Sequence, residues 1–388
     1  MDGKYIIDED KQFIAGTYAR FPVAFKEGKG CRLYDYDGKE YIDCGSGIAV
    51  NIFGVNDEEW KSAVIAQLNN IQHTSNLYYT EPQARLARML CEKTGAGKVF
   101  FGNSGAEANE CAIKAARKYG ELHGGEHKKQ IITLKDSFHG RTIATLAATG
   151  QEAFHKYYGP FPEGFVYAEP TIEGVESCFN ENTCAVMIEV IQGESGVNVL
   201  GEDFVKGVEE LCRRLGALFI CDEVQTGNGR TGHLYAYQAY GVKPDIVTTA
   251  KGLGGGLPIG ACMLFGDVAG VFGAGDHGST FGGNPVVCAG ACSILSRIDD
   301  KLLASVREKG KYFVERLKKI NGVKSVSGMG LMIGIDTSKP ASLVAKECLD
   351  KGLLVLTAHS RVRLLPPLTI GKEDIDFALK ILNEVISQ

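Results

Sequence analysis

Short apolar runs alternate with helix-like segments through the middle of the chain. The runs expected to be buried strands are 99–103, 131–134, 217–221 and 245–250. Residues 203–214 carry apolar side chains at helical spacing and are predicted to form a helix. This alternation between residues 98 and 265 indicates an α/β domain with a largely parallel sheet.

The pattern changes after Asn284. Residues 301–320 are predicted to form a long amphipathic helix, residues 330–335 a strand, and the end of the chain a further helix. A second, smaller domain of mixed helices and strands is therefore expected in the carboxyl-terminal part.

Lys251 occupies an unusual place, because it follows the apolar run 245–250 and precedes the glycine-rich stretch 252–256. A flexible cation normally lies on a solvated surface. Burial at a strand end would lower the pKa of this amine and make it a nucleophile for a carbonyl group. The alternative is an ordinary surface lysine.

Asp222 follows the apolar run 217–221 in the same way. Parallel strands end at one edge of their sheet, where ligands bind, so Asp222 and Lys251 are expected to face the same small molecule. The alternative is an aspartate that merely caps a helix or stabilises a turn.

Ser104 and Glu107 have the spacing of a capping box at the start of a helix. The free amides of such a helix start would also hold a phosphate group. The two roles are compatible, because the cap fixes the turn whose amides bind the anion.

Phe138 and Arg141 lie in a loop after the apolar run 131–134. Phe138 could stack on an aromatic ring, and Arg141 could bind a substrate carboxylate through two hydrogen bonds. The alternatives are core packing for Phe138 and a surface ion pair for Arg141. Taken together, these candidates match what pyridoxal 5′-phosphate (PLP) requires: a lysine, an acid for the ring nitrogen, a ring clamp and an anion site.

The chain resembles the class III, ornithine-type aminotransferases. The resemblance rests on four motifs that occur in the family's order, 104–110 (SGAEANE), 137–141 (SFHGR), 221–227 (CDEVQTG) and 250–256 (AKGLGGG). Four further segments resemble the branch that acts on N2-acetylornithine, namely 46–51, 75–79, 277–285 and 365–370.

This resemblance implies the PLP-dependent transferase fold of type I, with helices on both faces of the large sheet. The implied domains are a large PLP-binding domain over 52–282 and a small α+β domain made of 1–51 and 283–388.

The resemblance also implies individual roles in the site. Lys251 would attach to the cofactor and Asp222 would pair with its ring nitrogen; both would be catalytic. The other implied cofactor ligands are Ser104, Gly105 and Ala106 at the phosphate, Phe138 and Val224 on the ring, Gln225 at the ring hydroxyl, and Thr280 from the second subunit of a homodimer. The implied substrate ligands are Arg141, Glu194, Ser279 and Arg363.

Two features depart from the family pattern. Val190 and Ser195 stand where proline and glycine are more common around the turn that carries Glu194. Arg361 lies two residues before Arg363, so the sequence leaves open which arginine meets the substrate, although Arg363 keeps the family's spacing.

The resemblance implies transfer of the distal amine of N2-acetylornithine to 2-oxoglutarate, giving N-acetylglutamate semialdehyde and glutamate, as in arginine biosynthesis. Succinyldiaminopimelate, ornithine, succinylornithine and 4-aminobutyrate remain alternative donors, because pocket contacts that separate such substrates amount to only about 1–3 kcal/mol.

Composition narrows the classes of protein. With 388 residues and 44% hydrophobic content, the chain can bury a large core. Its net charge of −5 gives no excess of basic residues for binding nucleic acid. No apolar run is long enough to span a bilayer, and the acidic start lacks the apolar core of a signal peptide. A soluble cytoplasmic protein without a membrane partner is expected.

The 12 cysteines are scattered and are expected to be reduced thiols, with no metal site. A nicotinamide-dependent dehydrogenase is the rival from another cofactor class, because 273–278 fits a dinucleotide glycine pattern. Neither a clear strand before it nor a helix directly after it supports that rival, and a non-catalytic binding protein would leave Lys251 and Asp222 unexplained.

Overall fold

The computed structural model describes residues 2–387. Its α-helices are α1 (Gly3–Phe13), α2 (Ser46–Ala49), α3 (Glu58–Leu68), α4 (Glu81–Thr94), α5 (Gly105–Gly124), α6 (Ile143–Ala148), α7 (Ile172–Ser177), α8 (Glu202–Leu215), α9 (Pro285–Ser296), α10 (Asp300–Leu317), α11 (Ala341–Asp350) and α12 (Lys372–Ile386). Of these, α2 is a single turn whose backbone is left-handed.

Within the described residues, the strands form four sheets. They are β1 (Phe25–Lys29), β2 (Arg32–Asp35), β3 (Glu40–Asp43), β4 (Lys98–Gly102), β5 (Gln130–Leu134), β6 (Phe165–Ala168), β7 (Thr183–Ile188), β8 (Ile191–Gln192), β9 (Asn198–Val199), β10 (Leu218–Asp222), β11 (Ile246–Thr249), β12 (Gly260–Leu264), β13 (Val323–Met329), β14 (Met332–Thr337), β15 (Leu353–Leu354), β16 (Leu356–Ala358) and β17 (Arg361–Leu364).

The largest sheet has seven strands in the order β4-β12-β11-β10-β7-β5-β6. All neighbours are parallel except that β12 runs antiparallel to both β11 and β4. The carboxyl ends of β5, β7, β10 and β11 therefore meet at one edge. This confirms the largely parallel α/β sheet.

Helices cover both faces of this sheet. Neighbouring residues of each strand point to opposite faces, so each strand contributes side chains to both helical layers. Ile131, for example, belongs to the cluster formed with α5, whereas Ile132 belongs to the cluster that includes α8. Both residues are fully buried. A sheet buried on both sides needs continuous apolar strands, which is the pattern seen in the sequence.

Two four-stranded sheets, β1-β2-β3-β15 and β13-β14-β17-β16, lie outside the large sheet. Strand β15, from the last part of the chain, pairs in parallel with β3, from the first part. The N-terminal segment thus shares a sheet with the carboxyl-terminal part. The exact division into two domains stays a prediction.

The elements predicted from the sequence are present with small shifts. The helix expected at 203–214 is α8, and the helix expected at 301–320 is α10, which ends at Leu317. The strand expected at 330–335 begins only at Met332, because Gly330 has a φ of +56° and forms the turn between β13 and β14. The segment 273–278 lies in a loop between β12 and α9, without the helix start that dinucleotide binding requires.

Every cysteine is a free thiol, and most are buried. Between residues 2 and 387, no group of three or more His, Cys, Asp or Glu side chains is arranged to hold a metal ion. No helix within the same residues is long and apolar enough to cross a bilayer.

Candidate active site

Lys251 lies directly beyond the end of β11, where the chain enters a short 3₁₀ turn, Lys251–Leu253. Its φ of +45° is unusual for a residue with a side chain and turns the chain sharply away from the sheet. The side chain lines a cavity of about 630 Å³ at the carboxyl edge of the large sheet. Desolvation lowers the pKa of its amine below the ordinary 10.5.

Asp222 is the last residue of β10 and pairs in register with Thr248 of β11, so its carboxylate lies beside the strand that leads to Lys251. The Asp222 side chain is buried and lines the same cavity. One carboxylate oxygen is 2.8 Å from both Asn109 Nδ2 and His139 Nδ1, and the other accepts from the amide of Val224 at 3.0 Å. These contacts fix the direction in which the carboxylate points.

The start of α5 forms another wall of the cavity. Ser104 caps the helix, since its hydroxyl accepts from the amide of Glu107 at 3.2 Å. The first amides of a helix have no partner within the helix, and Gly105 and Ala106 line the cavity at this point. A Cβ on Gly105 would lie 2.6 Å from Val224 Cγ1, so only glycine lets the helix start approach this side chain.

Phe138 and Arg141 come from the loop after β5 and also line the cavity. The Phe138 amide donates to Glu189 at 2.8 Å, which fixes the loop next to β7. The Arg141 guanidinium lies 4.4 Å from the ring centre of Phe154 and 5.7 Å from that of Phe138, and it remains exposed. An aromatic ring and a solvent-accessible cation therefore stand side by side at the cavity mouth.

Glu194, Arg363 and Gln225 form a connected polar group beside the cavity. Arg363 donates to Glu194 at 2.7 Å and to the side-chain oxygen of Gln225 at 3.0 Å, and Gln225 donates back to Glu194 at 3.0 Å. Arg363 is buried. Burial alone would raise the pKa of the Glu194 carboxyl, but the charge and hydrogen bond of Arg363, together with the Lys251 charge and the Gln225 hydrogen bond, outweigh burial and hold that pKa below its ordinary value.

The two arginines of β17 have different partners. Arg361 donates to the carbonyl of Gly196, to Asn198 and to Ser327, whereas Arg363 forms the ion pair with Glu194. Of the two candidates that the sequence left open, Arg363 is thus the one beside Glu194.

Ser279 and Thr280 do not line the Lys251 cavity. They line a neighbouring cavity of about 480 Å³ together with Phe100, Glu107 and His277. The Ser279 hydroxyl accepts from Asn103 at 3.1 Å, and Thr280 is exposed. Within one chain, these two residues stand apart from the remaining candidates.

Asn109, His139 and Glu189 line the Lys251 cavity and were not predicted. Glu189 directly follows β7, so the rule that selected Asp222 at the end of β10 would have found it as well. Burial and the nearby Asp222 charge raise the pKa of the Glu189 carboxyl well above its ordinary value. His139 and Asn109 belong to the quoted motifs, but nothing in the sequence pointed them towards Asp222.

Comparison with known proteins identifies the class. The family model for aminotransferase class III matches residues 13–386, and the chain belongs to this family. It is a PLP-dependent aminotransferase, since that cofactor dependence is a property of the family.

Individual relatives match over nearly the whole length. The acetylornithine aminotransferase of Haemophilus ducreyi is 48% identical and that of Aquifex aeolicus 46% identical, over 98% and 96% of this chain and 98% and 100% of theirs. Among solved structures, the ornithine aminotransferase from Toxoplasma gondii has a TM-score of 0.95 at 31% identity, covering 100% of this chain and 95% of that one. The acetylornithine aminotransferase from Elizabethkingia anophelis has a TM-score of 0.88 at 32% identity, covering 100% of this chain and 99% of that one.

The residues present fit PLP on structural grounds. The cavity contains a desolvated lysine, a buried carboxylate with fixed orientation and a helix start with free amides. The cofactor needs these groups for its aldehyde, ring nitrogen and phosphate. Gly105 at the helix start packs directly against Val224, which lies two residues after Asp222 in the cavity wall.

Proposed function

We propose that this enzyme transfers the distal amine of N2-acetylornithine to 2-oxoglutarate, producing N-acetylglutamate semialdehyde and glutamate, as in arginine biosynthesis. Relatives that are 42–48% identical over most of their length are named acetylornithine aminotransferase. The observation that carries the proposal within the molecule is the Glu194–Arg363 ion pair next to the Lys251 cavity.

The proposed cofactor ligands follow from their positions. With PLP bound, Lys251 would hold the aldehyde end, Asp222 the ring nitrogen, and the amides of Gly105 and Ala106 the phosphate; Phe138 and Val224 would enclose the ring. When bound, PLP supplies an aldehyde that takes up the amino group and a ring that accepts electrons from the reacting carbon. A negative Asp222 keeps the ring nitrogen protonated, an electrostatic contribution worth about 3–4 kcal/mol by comparison with a single oriented donor elsewhere.

We assign the proton transfer to Lys251. With PLP and substrate bound, the Lys251 amine would remove the proton from the substrate carbon that carries the reacting amine and would return it to a carbon of the cofactor. This role requires a neutral amine, and the lowered pKa of Lys251 favours that form.

The two substrates present opposite geometries. N2-acetylornithine reacts through an amine far from its α-carboxylate, whereas glutamate reacts through the amine next to its own. We propose that Glu194 neutralises Arg363 in the first half-reaction and releases it to bind the glutamate α-carboxylate in the second. The hydrogen bonds of Gln225 to both residues place it within this exchange, in addition to the ring-hydroxyl role that the resemblance implies.

The remaining candidates are assigned to the far end of the acylated substrate and to a second subunit. Arg141 at the cavity mouth is proposed to bind the α-carboxylate of N2-acetylornithine. Ser279 and Thr280, which lie outside the Lys251 cavity of their own chain, are proposed to complete the site of the partner in a cytoplasmic homodimer.

Rapid-mixing measurements of the first half-reaction test the substrate assignment. The purified enzyme is mixed with N2-acetylornithine, N2-succinylornithine, succinyldiaminopimelate, ornithine or 4-aminobutyrate, and loss of the aldehyde cofactor absorption is followed. We expect N2-acetylornithine to give the highest second-order rate constant.

A higher rate constant for ornithine or 4-aminobutyrate would overturn the substrate assignment and leave the aminotransferase class intact. Comparable constants for the two acylated ornithines would show that the enzyme does not distinguish their acyl groups and would overturn the preference for N2-acetylornithine.

A further inference from the structure

The Glu194 loop, residues 193–197 between β8 and β9, is held against the four-stranded sheet β13-β14-β17-β16 by Arg361, a residue without an assigned role. Arg361 Nη1 donates to the carbonyl of Gly196 at 3.0 Å, to Asn198 Oδ1 at 3.2 Å and to Ser327 Oγ at 3.1 Å. Ser327 Oγ in turn donates to the carbonyl of Val197 at 2.8 Å. One guanidinium thus connects the Glu194 loop, β9 and β13.

The backbone of this loop is held in an unfavourable conformation. Val197 has a φ of +59°, a left-handed geometry that a β-branched residue adopts only when its surroundings impose it. The Val197 side chain is fully buried. Contacts that hold Val197 in place therefore oppose relaxation of the Glu194 loop.

The loop also lies very close to the sheet below it. A Cβ added to Gly334 of β14 would be 2.7 Å from the carbonyl oxygen of Gly196 and 2.8 Å from Val197 Cβ. The sheet therefore admits the Glu194 loop only because Gly334 has no side chain. Packing at Gly334 and hydrogen bonds from Arg361 hold the same part of the loop.

Arg361 and Arg363 are two residues apart on β17, so their side chains leave the same face of the strand. Arg363 holds the loop at Gly193 and Glu194, and Arg361 holds it at Gly196. One strand thus holds the Glu194 loop at both ends. Movement of Glu194 away from Arg363 has to occur within a segment whose other end is fixed.

We propose that Arg361 is a positioning residue that holds the Glu194 loop against β17 and thereby sets the balance between the two half-reactions. The inference rests on the proposed exchange of Arg363 between Glu194 and the glutamate carboxylate. Weakening the hold at Gly196 lets Glu194 leave Arg363 more readily, which favours glutamate over the acylated amine.

The test measures the ratio of the rate constants for the N2-acetylornithine and glutamate half-reactions in rapid-mixing experiments on the holoenzyme. The variants are Arg361→Met, which keeps side-chain length without donors, Glu194→Ala, and the two combined. Arg361→Met is expected to lower the ratio about fivefold or more, the effect of losing a hydrogen bond to a charged group. Glu194→Ala lowers it further, and adding Arg361→Met to Glu194→Ala changes nothing more.

Three further variants separate positioning from general damage. Arg361→Lys keeps a donor and is expected to restore most of the ratio. Gly334→Ala pushes on Gly196, Val197 and Ser327 Oγ while the Arg361 side chain itself is kept, and it is expected to lower the ratio as well. Arg316→Met, at an exposed arginine on α10, is the matched control and leaves the ratio unchanged.

The outcomes distinguish the two claims. An unchanged ratio in Glu194→Ala contradicts the proposed exchange itself. A lowered ratio in Glu194→Ala with an unchanged ratio in Arg361→Met overturns the positioning role alone, whatever Gly334→Ala does. Equal proportional losses of both rate constants in Arg361→Met would also overturn it, because they would indicate a structural role only.

Discussion

At the scale of single residues, the chemistry depends on what burial does to the amine of Lys251. Desolvation lowers its pKa, Glu194 opposes this shift, and Arg363 adds to it. The net effect is an amine that loses its proton more readily than an exposed lysine does. A neutral amine is the form that attacks a carbonyl group and accepts a proton.

The lowered pKa predicts the pH dependence of chemical labelling. After removal of the cofactor, the neutral form of Lys251 becomes available to a small amine-specific acylating reagent. Because burial favours the neutral form, the midpoint of its labelling is expected to lie below pH 10.5. Labelling of the peptide that contains Lys251 is followed by mass spectrometry from about pH 6 to about pH 11, a range that includes the ordinary lysine pKa.

Exposed Lys311, with 79% of its side chain accessible, serves as the reference for reagent reactivity in the same samples. A midpoint for Lys251 at or above 10.5 would contradict the proposed desolvation.

At the residue scale, one sequence rule was enough to select two of the residues that line the cavity. Lys251 and Asp222 were found because a charged residue directly after a buried strand is rare and has a defined place at the sheet edge. Glu189 obeys the same rule and was missed. The contacts of Gln225 with Glu194 and Arg363 depend on side-chain directions from three separate elements, which no local pattern contains.

At the scale of elements, the start of α5 decides how closely a phosphate can approach. Gly105 is the first residue of the helix, and helix propensity alone favours alanine there by up to about 1 kcal/mol. The new Cβ would, however, lie 2.6 Å from Val224. Overpacking in a dense region costs about 1–3 kcal/mol, so the clash is expected to outweigh the gain in propensity.

Gly105→Ala is therefore expected to weaken cofactor binding by about tenfold, the equivalent of 1.4 kcal/mol within the range for overpacking. The dissociation constant is measured by adding PLP to the cofactor-free protein and recording its absorption. Gly124→Ala, at the other end of α5, is the control, because its Cβ meets only the flexible side chain of Lys128.

Unchanged PLP affinity in Gly105→Ala, together with a normal melting temperature, would show that Val224 does not help to shape the site. A loss of affinity in Gly124→Ala of the same size would mean that general helix damage explains the effect.

Element-scale prediction was accurate wherever hydrophobic periodicity is strong, as in α8 and the central strands. It did not find the left-handed turn α2, in which Ser46, Ile48 and Ala49 all have positive φ values. Such a turn is unfavourable for L-residues, so tertiary contacts have to stabilise it. The Asp43 carboxylate, which accepts from the amides of Gly45 and Ser46 at 2.8 Å, is one such contact.

At the scale of the whole molecule, a strongly exposed apolar surface lies beside the second cavity. Leu77 and Tyr79 are 85% and 104% exposed, and Phe281 is 60% exposed. Asn76 connects this segment to the loop of Ser279 through a 3.0 Å hydrogen bond. Exposed apolar clusters of this kind mark interaction surfaces. Our proposal is that a second copy of the chain covers this apolar surface, and that the Lys251 site of that second copy receives Thr280.

Mixed dimers test whether Thr280 acts across the interface. In the first mixture, one chain carries Lys251→Ala and the other Thr280→Val, so the remaining Lys251 site receives an unaltered Thr280 from its partner. In the second, both substitutions are on one chain and its partner is unchanged, so the remaining Lys251 site receives the substituted side chain, which lacks the hydroxyl. We expect PLP affinity at the remaining site to be normal in the first mixture and weakened in the second.

The reverse order of affinities would place Thr280 in the site of its own chain. Equal affinities in both mixtures would mean that Thr280 does not contact the cofactor.

The larger architecture was predictable only in part. The apolar runs indicated the α/β sheet, and the change of pattern after Asn284 indicated a different unit. The pairing of β15 with β3 places Leu353 beside Ile42. These residues are far apart in the sequence, and local hydrophobic periodicity carries no information about such distant pairs. The division at residues 51 and 282 therefore remains our proposal.

Borohydride reduction of the holoenzyme tests the central claim most directly, because it makes the bond between the cofactor and its lysine permanent. Digestion and mass spectrometry then identify the modified residue. The account predicts one pyridoxyl group per chain, on Lys251, and none in Lys251→Ala. A cofactor found on a different lysine of the unaltered enzyme would contradict it.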